Sequence, residues 1–118
     1  NGRIGVIKSN IFNKYFLPGG GIKNGETEID VLRREIVEEI GFTAQILEKT
    51  GGATEYLFAK TDEKYIAKIC NFYRIELKHK IRAATENQLI WIDENNLGEI
   101  YHQSHQWIAK TELGRLKI

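Results

Sequence analysis

The segment from Gly20 to Phe42 constrains the fold and the chemistry of this chain more than any other. It joins a glycine-rich turn, Pro18-Gly19-Gly20-Gly21, to a run of acidic residues with helical spacing. Proline fixes one backbone torsion, and glycine adopts conformations that are closed to other residues. Such a turn can bring backbone N–H groups close to phosphate oxygens. We therefore predict that Gly19, Gly20 and Gly21 form a phosphate-binding loop.

The residues after this turn predict a helix over residues 27–40. Thr27 can cap its N-terminus together with Asp30, and Gly41 stands where a glycine ends many helices. When the segment is wound at 3.6 residues per turn, its aliphatic side chains form one stripe that faces a core. The residues of this stripe are Ile29, Leu32, Ile36 and Ile40.

Three glutamates share a neighbouring face of the predicted helix. Glu35, Glu38 and Glu39 are spaced i, i+3, i+4, and no basic residue lies within or just after the cluster. Like charges at this spacing repel one another, and a divalent cation would turn the repulsion into attraction. Mg²⁺ prefers oxygen ligands and is usually shared with substrate phosphates. We predict a site for Mg²⁺ or Mn²⁺, although a solvated acidic face is the plainer interpretation of an isolated glutamate pair.

The same segment resembles the signature box of the Nudix (MutT-like) hydrolases. That pattern is Gly, five residues, Glu, seven residues, then Arg-Glu-aliphatic-any-Glu-Glu-any-Gly followed by an aliphatic or aromatic residue. Gly20, Glu26 and the run from Arg34 to Phe42 fill every fixed position. The resemblance is motif-specific over residues 20–42 and extends less specifically over most of the chain.

The resemblance implies roles for the acidic residues and the arginine of the box. Glu35, Glu38 and Glu39 would bind the metal, and Glu38 and Glu39 would also take part in catalysis. Arg34 would orient a carboxylate by charge-assisted hydrogen bonds. Glu26 would tie the loop to the helix or reach the metal through water.

Family members often use one more acidic residue from a distant loop, as a metal ligand or as a general base. Glu86, in the segment that leads into a strand around Trp91, is the candidate in this chain. A solvated loop glutamate is the alternative for this residue. The weaker rivals for the role are Glu55, Asp62 and Glu63.

The order of predicted elements is strands, helix, strands, helix, which favours an α+β protein with a mixed sheet covered by helices on both faces. Strands are expected at residues 2–8, 15–17, 43–49, 55–59, 65–77 and 89–92, a helical turn at 94–97 and a C-terminal helix at 104–116. A break is expected at residues 50–52, and the strand at 65–77 is expected to be central. The resemblance implies an α/β/α sandwich around a central mixed β-sheet. We expect one domain over residues 1–118, incomplete at its N-terminus and lacking the first strand of that fold.

Composition narrows the range of partners. The formal net charge of +1 gives no general surface for polyanions, so a nucleic-acid partner is not expected. Cys70 is the only cysteine, which favours a reducing compartment and a cytoplasmic location. No apolar run reaches transmembrane length, so we expect no membrane partner. The resemblance adds a small-molecule nucleotide as substrate and a homodimer as an open option, since family members are commonly dimers.

Histidine and aromatic side chains offer further, weaker signals. His102 and His105 are three residues apart and could pair on a metal, but surface or partly packed histidines are the favoured interpretation. Several aromatic residues could stack on a nucleobase, although rings in strands are usually core or cross-strand pairs. These residues are Tyr56, Phe58, Tyr65, Phe72 and Tyr73.

Together, the residues and the resemblance imply Mg²⁺-dependent hydrolysis of a diphosphate linkage in a nucleoside diphosphate derivative. The substrate could be a nucleoside triphosphate, a nucleotide sugar or a dinucleoside polyphosphate, and the products a nucleoside monophosphate and a second phosphate compound. Two alternatives stay open: a non-catalytic nucleotide-binding regulatory domain, and a pyrophosphohydrolase of RNA 5′ ends. The small basic group Lys78, Lys80 and Arg82 would serve the latter, but is more simply an edge-strand solubility patch.

Overall fold

A computed structural model describes residues 2–10, 13–19, 25–83 and 87–116. The elements follow in the order β1 (Ile4–Ser9), β2 (Tyr15–Phe16), α1 (Glu28–Ile40), β3 (Phe42–Ala59), β4 (Lys64–Lys80), β5 (Asn87–Ile92), a 3₁₀ helix (Glu94–Glu99) and α2 (Gln103–Leu116). Most of the elements predicted from the sequence are confirmed within a few residues. The exception is β3, a single strand that spans the two strands predicted at residues 43–49 and 55–59.

Strand β1 lies at the centre of a three-stranded sheet with the order β2-β1-β5. Both of its neighbours run antiparallel to it, and an isolated parallel bridge joins Tyr15 to Ile100. Antiparallel strand pairs and a parallel bridge therefore occur together in this sheet. None of the described helices is long and apolar enough to cross a membrane.

Consecutive residues of β1 point to opposite faces of the sheet, and each face has its own core. Val6, which is fully buried, packs with Ile92 on β5 and Ala109 on α2. Ile7 packs with two buried residues of α1 on the other face. The two helices therefore cover opposite faces, and the predicted α/β/α sandwich of the Nudix fold is confirmed.

Local interactions account for the bounds of α1. The Thr27 hydroxyl accepts a hydrogen bond from the Asp30 N–H at 3.1 Å, and the Asp30 carboxylate accepts one from the Thr27 N–H at 3.2 Å. Gly41 ends the helix in the left-handed region with φ 74°. Of the predicted core stripe, Ile36 and Ile40 are buried. Val31 is also buried, which the stripe did not predict.

The predicted break at residues 50–52 and the predicted central position of the strand at 65–77 were wrong. Strand β3 runs through Gly51 and Gly52 with an irregular register, and within the described ranges β4 pairs only with β3. A Cβ atom on Gly51 would lie 3.0 Å from Ile108 Cδ1. Glycine at this position lets α2 approach the strand closely, so it marks a packing contact instead of a turn.

Candidate active site

A cleft of about 480 Å³ opens between the two helices and the β3–β4 hairpin. Its walls are residues 16–19, the start and one later turn of α1, residues 68–73 of β4, and two histidines at the start of α2. Pro18 and Gly19 are the first two residues of the glycine-rich turn, so the start of the predicted loop borders the cleft. Glu39 is the one glutamate of the predicted cluster that lines it.

The Glu39 carboxylate joins the glycine turn to α1. It accepts a hydrogen bond from the Gly19 backbone N–H at 3.0 Å. The pKa of Glu39 is raised to about 7, chiefly by burial and also by the nearby carboxylates of Glu35 and Glu38, against the opposing effect of the Gly19 hydrogen bond. The fold therefore holds this carboxylate in surroundings that disfavour its negative charge.

Arg34 holds the other three glutamates of the box. Its guanidinium makes a bidentate pair with Glu26, at 2.7 Å through Nε and 3.0 Å through Nη2. Nη1 donates to Glu35 at 2.7 Å and lies 3.4 Å from Glu38. The pair with Glu26 is the main cause that raises the pKa of Arg34. A charge-assisted fork of this kind fixes orientation as well as charge, which is what the role that the resemblance implies for Arg34 would require.

The donor set of this cluster fits a hard divalent cation. Glu35, Glu38 and Glu39 offer only carboxylate oxygens, which are the ligands that Mg²⁺ and Mn²⁺ prefer. A cation beside Glu39 would also offset the repulsion that raises its pKa. No group of three acidic, histidine or cysteine side chains among the described residues already converges on one point. The ligand roles of Glu26, Glu35, Glu38 and Glu39 therefore stay predictions.

Several predicted site residues cannot be placed. Gly20, Gly21 and Glu86 lie outside the described residues, so the rest of the phosphate loop and the distant acid stay predictions. Two of the weaker rivals of Glu86, Asp62 and Glu63, lie exposed in the turn between β3 and β4. Neither of them lines the cleft.

The structure adds a contact to the cleft that the sequence did not reveal. Glu28, at the first position of α1, accepts hydrogen bonds from the Asn71 amide and the Tyr73 hydroxyl. The Tyr73 hydrogen bond is the main cause that lowers the pKa of Glu28. The partners are more than 40 positions apart in sequence. A local sequence pattern could not have predicted this pairing.

The two histidines are partly packed, as expected, and both also line the cleft. The Nδ1 atom of His105 accepts a hydrogen bond from the Leu17 N–H at 3.2 Å. The pKa of His105 is lowered to about 4, chiefly by burial and also by the proximity of His102. Of the aromatic candidates for base stacking, Phe72 and Tyr73 line the cleft. The others, Tyr56, Phe58 and Tyr65, are exposed on the distal part of the hairpin.

The chain is similar to known proteins in sequence and in fold. The family model of the NUDIX domain matches residues 1–116. No curated protein sequence matches the chain significantly. A NUDIX hydrolase from Nitrosomonas europaea superposes with a TM-score of 0.67 at 14% identity, over 97% of this chain and 82% of that one.

Two further solved structures share the fold. The Ap4A hydrolase of C. elegans superposes with a TM-score of 0.68 at 17% identity, over 97% of this chain and 86% of that one. A structure from work on MutT of Aliivibrio salmonicida and Vibrio cholerae superposes with a TM-score of 0.58 at 16% identity, over 97% of this chain and 87% of that one. At such identities a superposition establishes the fold alone, and the family assignment comes from the domain model. Because that model spans nearly the whole chain, this protein belongs to the NUDIX family of pyrophosphohydrolases, which generally hydrolyse nucleoside diphosphate derivatives.

Proposed function

We propose that this protein hydrolyses a diphosphate linkage in a nucleoside triphosphate, a nucleotide sugar or a dinucleoside polyphosphate, with Mg²⁺ or Mn²⁺ as cofactor. The products are a nucleoside monophosphate and a second phosphate compound. The observation that carries the proposal is the position of the Glu39 carboxylate. It lies in the cleft wall, is bound to Gly19 of the glycine turn and lies beside two further carboxylates of α1.

Each residue of the cluster has a distinct part in this proposal. Glu35, Glu38 and Glu39 hold the cation, which when bound neutralises charge on the phosphate oxygens and the leaving phosphate. Arg34 holds the Glu35 and Glu38 side chains in place through its guanidinium, and Glu26 fixes that guanidinium from the other side. The glycines after Gly19, which lie outside the described residues, are proposed to bind the phosphates through backbone N–H groups. Glu86 is proposed as the further acid.

Two similar structures support the substrate class. One is named as an Ap4A hydrolase and another as MutT, and their folds match over almost the whole of this chain. The cytoplasmic location and the homodimer expected from the sequence stay predictions, as does the absence of a nucleic-acid substrate. Retention of every carboxylate of the box favours catalysis over a non-catalytic binding role.

A phosphate-release screen tests the proposal. The substrates are nucleoside triphosphates, nucleotide sugars and dinucleoside polyphosphates, and each is assayed with Mg²⁺, with Mn²⁺ and with EDTA. Glu39→Gln is isosteric and can still accept from the Gly19 N–H, so it should keep the fold. We expect it to lower turnover by more than the roughly 100-fold that marks the loss of a supporting contact at a metal site. Glu99→Gln, at an exposed position of the 3₁₀ helix outside the cleft, is the matched control and should keep the wild-type rate.

Three outcomes would contradict the proposal. Wild-type rates for Glu39→Gln across several substrates would show that the site is assigned wrongly. Calorimetric binding of nucleotides without phosphate release would favour a regulatory domain. Release from triphosphorylated RNA alone would favour the RNA 5′-end reaction.

A further inference from the structure

The C-terminal end of α1 needs hydrogen-bond donors from another part of the chain. Its last turn carries Glu38 and Glu39, two of the predicted metal ligands. An α-helix leaves its last four carbonyl groups without partners inside the helix. The negative end of the helix dipole lies here as well, and the last turn of α1, which the structure describes in full, contains no basic side chain.

Two residues beyond β4 supply side-chain donors to this end and are here called the capping pair, Arg82 and Asn87. The Nη2 atom of Arg82 donates to the carbonyl oxygens of Val37 at 3.1 Å and Glu38 at 3.2 Å. The Asn87 amide donates to the carbonyl oxygen of Glu39 at 3.4 Å. Three consecutive carbonyls of α1 are therefore paired with side chains that lie more than 40 positions away in sequence.

Main-chain contacts at the glycine that ends α1 bring Arg82 to this position. The Ile81 N–H donates to the Gly41 carbonyl oxygen at 2.8 Å, and the Arg82 N–H donates to the same oxygen at 3.4 Å. A Cβ atom on residue 41 would lie 2.3 Å from the Arg82 carbonyl oxygen, so glycine permits this close approach. The segment after β4 is thus attached to α1 by backbone as well as side-chain hydrogen bonds.

The turn that receives these donors sets the direction of two carboxylates of the site. The Glu39 carboxylate accepts from the Gly19 N–H at 3.0 Å, and the Glu38 carboxylate lies 3.4 Å from Arg34. The direction of each side chain follows from the backbone of its turn. Helix ends fray, whereas a metal site requires its ligands to be held within a fraction of an ångström. A frayed last turn would displace two of the three carboxylates proposed to hold the cation.

The plainer interpretation is that the capping pair only stabilises α1, since arginine side chains often bond the last carbonyls of a helix. Two observations favour a more specific role. The paired carbonyls include those of Glu38 and Glu39 themselves. Arg82 is also exposed, so water could pair with the carbonyls of Val37 and Glu38 in its place. The guanidinium therefore contributes a fixed direction more than a missing partner.

We propose that Arg82 and Asn87 are positioning residues for cation binding, which hold the last turn of α1 so that the Glu38 and Glu39 carboxylates face one cation. This proposal rests on the proposed function for the identity of the ligands. Neither member of the capping pair lines the cleft, so both act through the backbone of α1. Because one nitrogen of Arg82 donates to both carbonyls, the ammonium group of a lysine can replace it, unlike the guanidinium fork of Arg34.

Titration with Mn²⁺ alone, followed by the electron paramagnetic resonance signal of the free ion, measures cation binding without turnover. We expect Arg82→Gln to weaken Mn²⁺ binding about 10-fold, the lower end of the loss that follows removal of a supporting residue at a metal site. Arg82→Lys should bind Mn²⁺ within about 3-fold of the wild type, because an ammonium group also has donors for two carbonyls. Each variant is titrated well below its unfolding midpoint, so that all of them are folded.

Two control variants separate positioning from charge and from stability. Arg33→Gln removes an exposed guanidinium from α1 itself and changes the net charge by the same amount as Arg82→Gln. Asp93→Ala removes the carboxylate that caps the 3₁₀ helix, so it lowers stability at a helix end outside the cleft. Both controls should bind Mn²⁺ as tightly as the wild type, even if the unfolding midpoint of Asp93→Ala falls as far as that of Arg82→Gln.

Three results overturn the positioning role. The first is wild-type Mn²⁺ affinity in Arg82→Gln, the second is an equal loss of affinity in Asp93→Ala, and the third is an Arg82→Lys variant as weak as Arg82→Gln. If Arg82→Gln does not fold by thermal melting, Asn87→Ala, which removes the donor to the Glu39 carbonyl, carries the same test.

The phosphate-release screen keeps this proposal distinct from the proposed hydrolysis. Mn²⁺ binding and cleavage by the wild type with no dependence on the capping pair refute only the positioning role. Mn²⁺ binding that depends on Arg82, without phosphate release from any substrate, refutes only the hydrolysis. A wild-type protein that binds no Mn²⁺ refutes both.

Discussion

Replacement of Glu39 by Gln should stabilise the metal-free protein at pH 8 and change its stability little at pH 4.5. The pKa of Glu39 rises from 4.5 to about 7 in the folded protein, chiefly through burial. Between these two values the folded state binds more protons than the unfolded state, so the free energy of unfolding falls as the pH rises. The favourable contribution of Glu39 is therefore complete below pH 4.5 and lost above pH 7.

The size of the effect follows from the same shift. At about 1.4 kcal/mol per pKa unit, the shift from 4.5 to about 7 sets an upper bound of about 3.5 kcal/mol. The carboxylate is only partly buried, and solvent screens its repulsion by Glu35 and Glu38, so we expect about 1–2 kcal/mol. Glutamine removes the charge and keeps an oxygen for the Gly19 N–H at 3.0 Å. The substitution thus isolates the cost of ionising Glu39.

Urea unfolding in EDTA at the two pH values measures this cost, with Glu99→Gln as the control for loss of an exposed charge. The reasoning is refuted if Glu39→Gln is no more stable than the wild type at pH 8, or if its gain is the same at pH 4.5. Added Mg²⁺ gives a second comparison. A cation that binds only the folded state should stabilise the wild type at pH 8 and have much less effect on Glu39→Gln.

Two other substitutions test the framework of the site. Gly41→Ala should destabilise the protein by about 2–4 kcal/mol, measured by urea unfolding. Residue 41 has φ 74°, which alanine adopts at a cost, and a Cβ atom there would lie 2.3 Å from the Arg82 carbonyl oxygen. Gly114→Ala, on α2 with nothing within 4 Å of the added Cβ, is its control and should be neutral or stabilising by up to about 1 kcal/mol. Arg34→Lys should lower turnover by about 10- to 100-fold with the fold retained, since an ammonium cannot reproduce the fork that pairs with Glu26 and also reaches Glu35.

These two predictions fail in different ways. A Gly41→Ala protein as stable as Gly114→Ala would mean that the segment around Arg82 can move aside at little cost. An Arg34→Lys protein with the wild-type rate would mean that the orientation of the carboxylates does not depend on the guanidinium fork. Circular dichroism and the unfolding midpoint show whether the fold is kept in each variant.

Local sequence was sufficient to predict α1 and the positions of its acidic residues. The cap at Thr27, the left-handed Gly41 and the spacing of the glutamates depend on residues within a few positions of one another. The pairing of Arg34 with Glu26 spans eight positions, and the carboxylate-orienting role that the resemblance implies for Arg34 stays a prediction. The order of elements also predicted the two-faced sheet, because alternating residues of β1 must point to opposite sides.

The sequence misjudged features that depend on a distant neighbour. Gly51 and Gly52 were interpreted as a break because glycine is common in turns, whereas the close approach of α2 explains the glycine at position 51. The length and the aliphatic and aromatic content of β4 suggested a central strand, but within the described residues it pairs only with β3. In neither case does the local sequence contain the partner that decides the outcome.

By itself, then, the sequence determined the acidic helix, the family and the residue types available for a cation and for phosphates. Only the tertiary structure determined which residues form the far side of the cleft, across from the acidic helix. The contacts that build the far side of the cleft join Leu17 to His105 and Glu28 to Tyr73, which are 88 and 45 positions apart. Helix caps and charge spacing are short-range interactions that a local pattern encodes. A cleft is formed by packing between segments that meet only when the whole chain has folded.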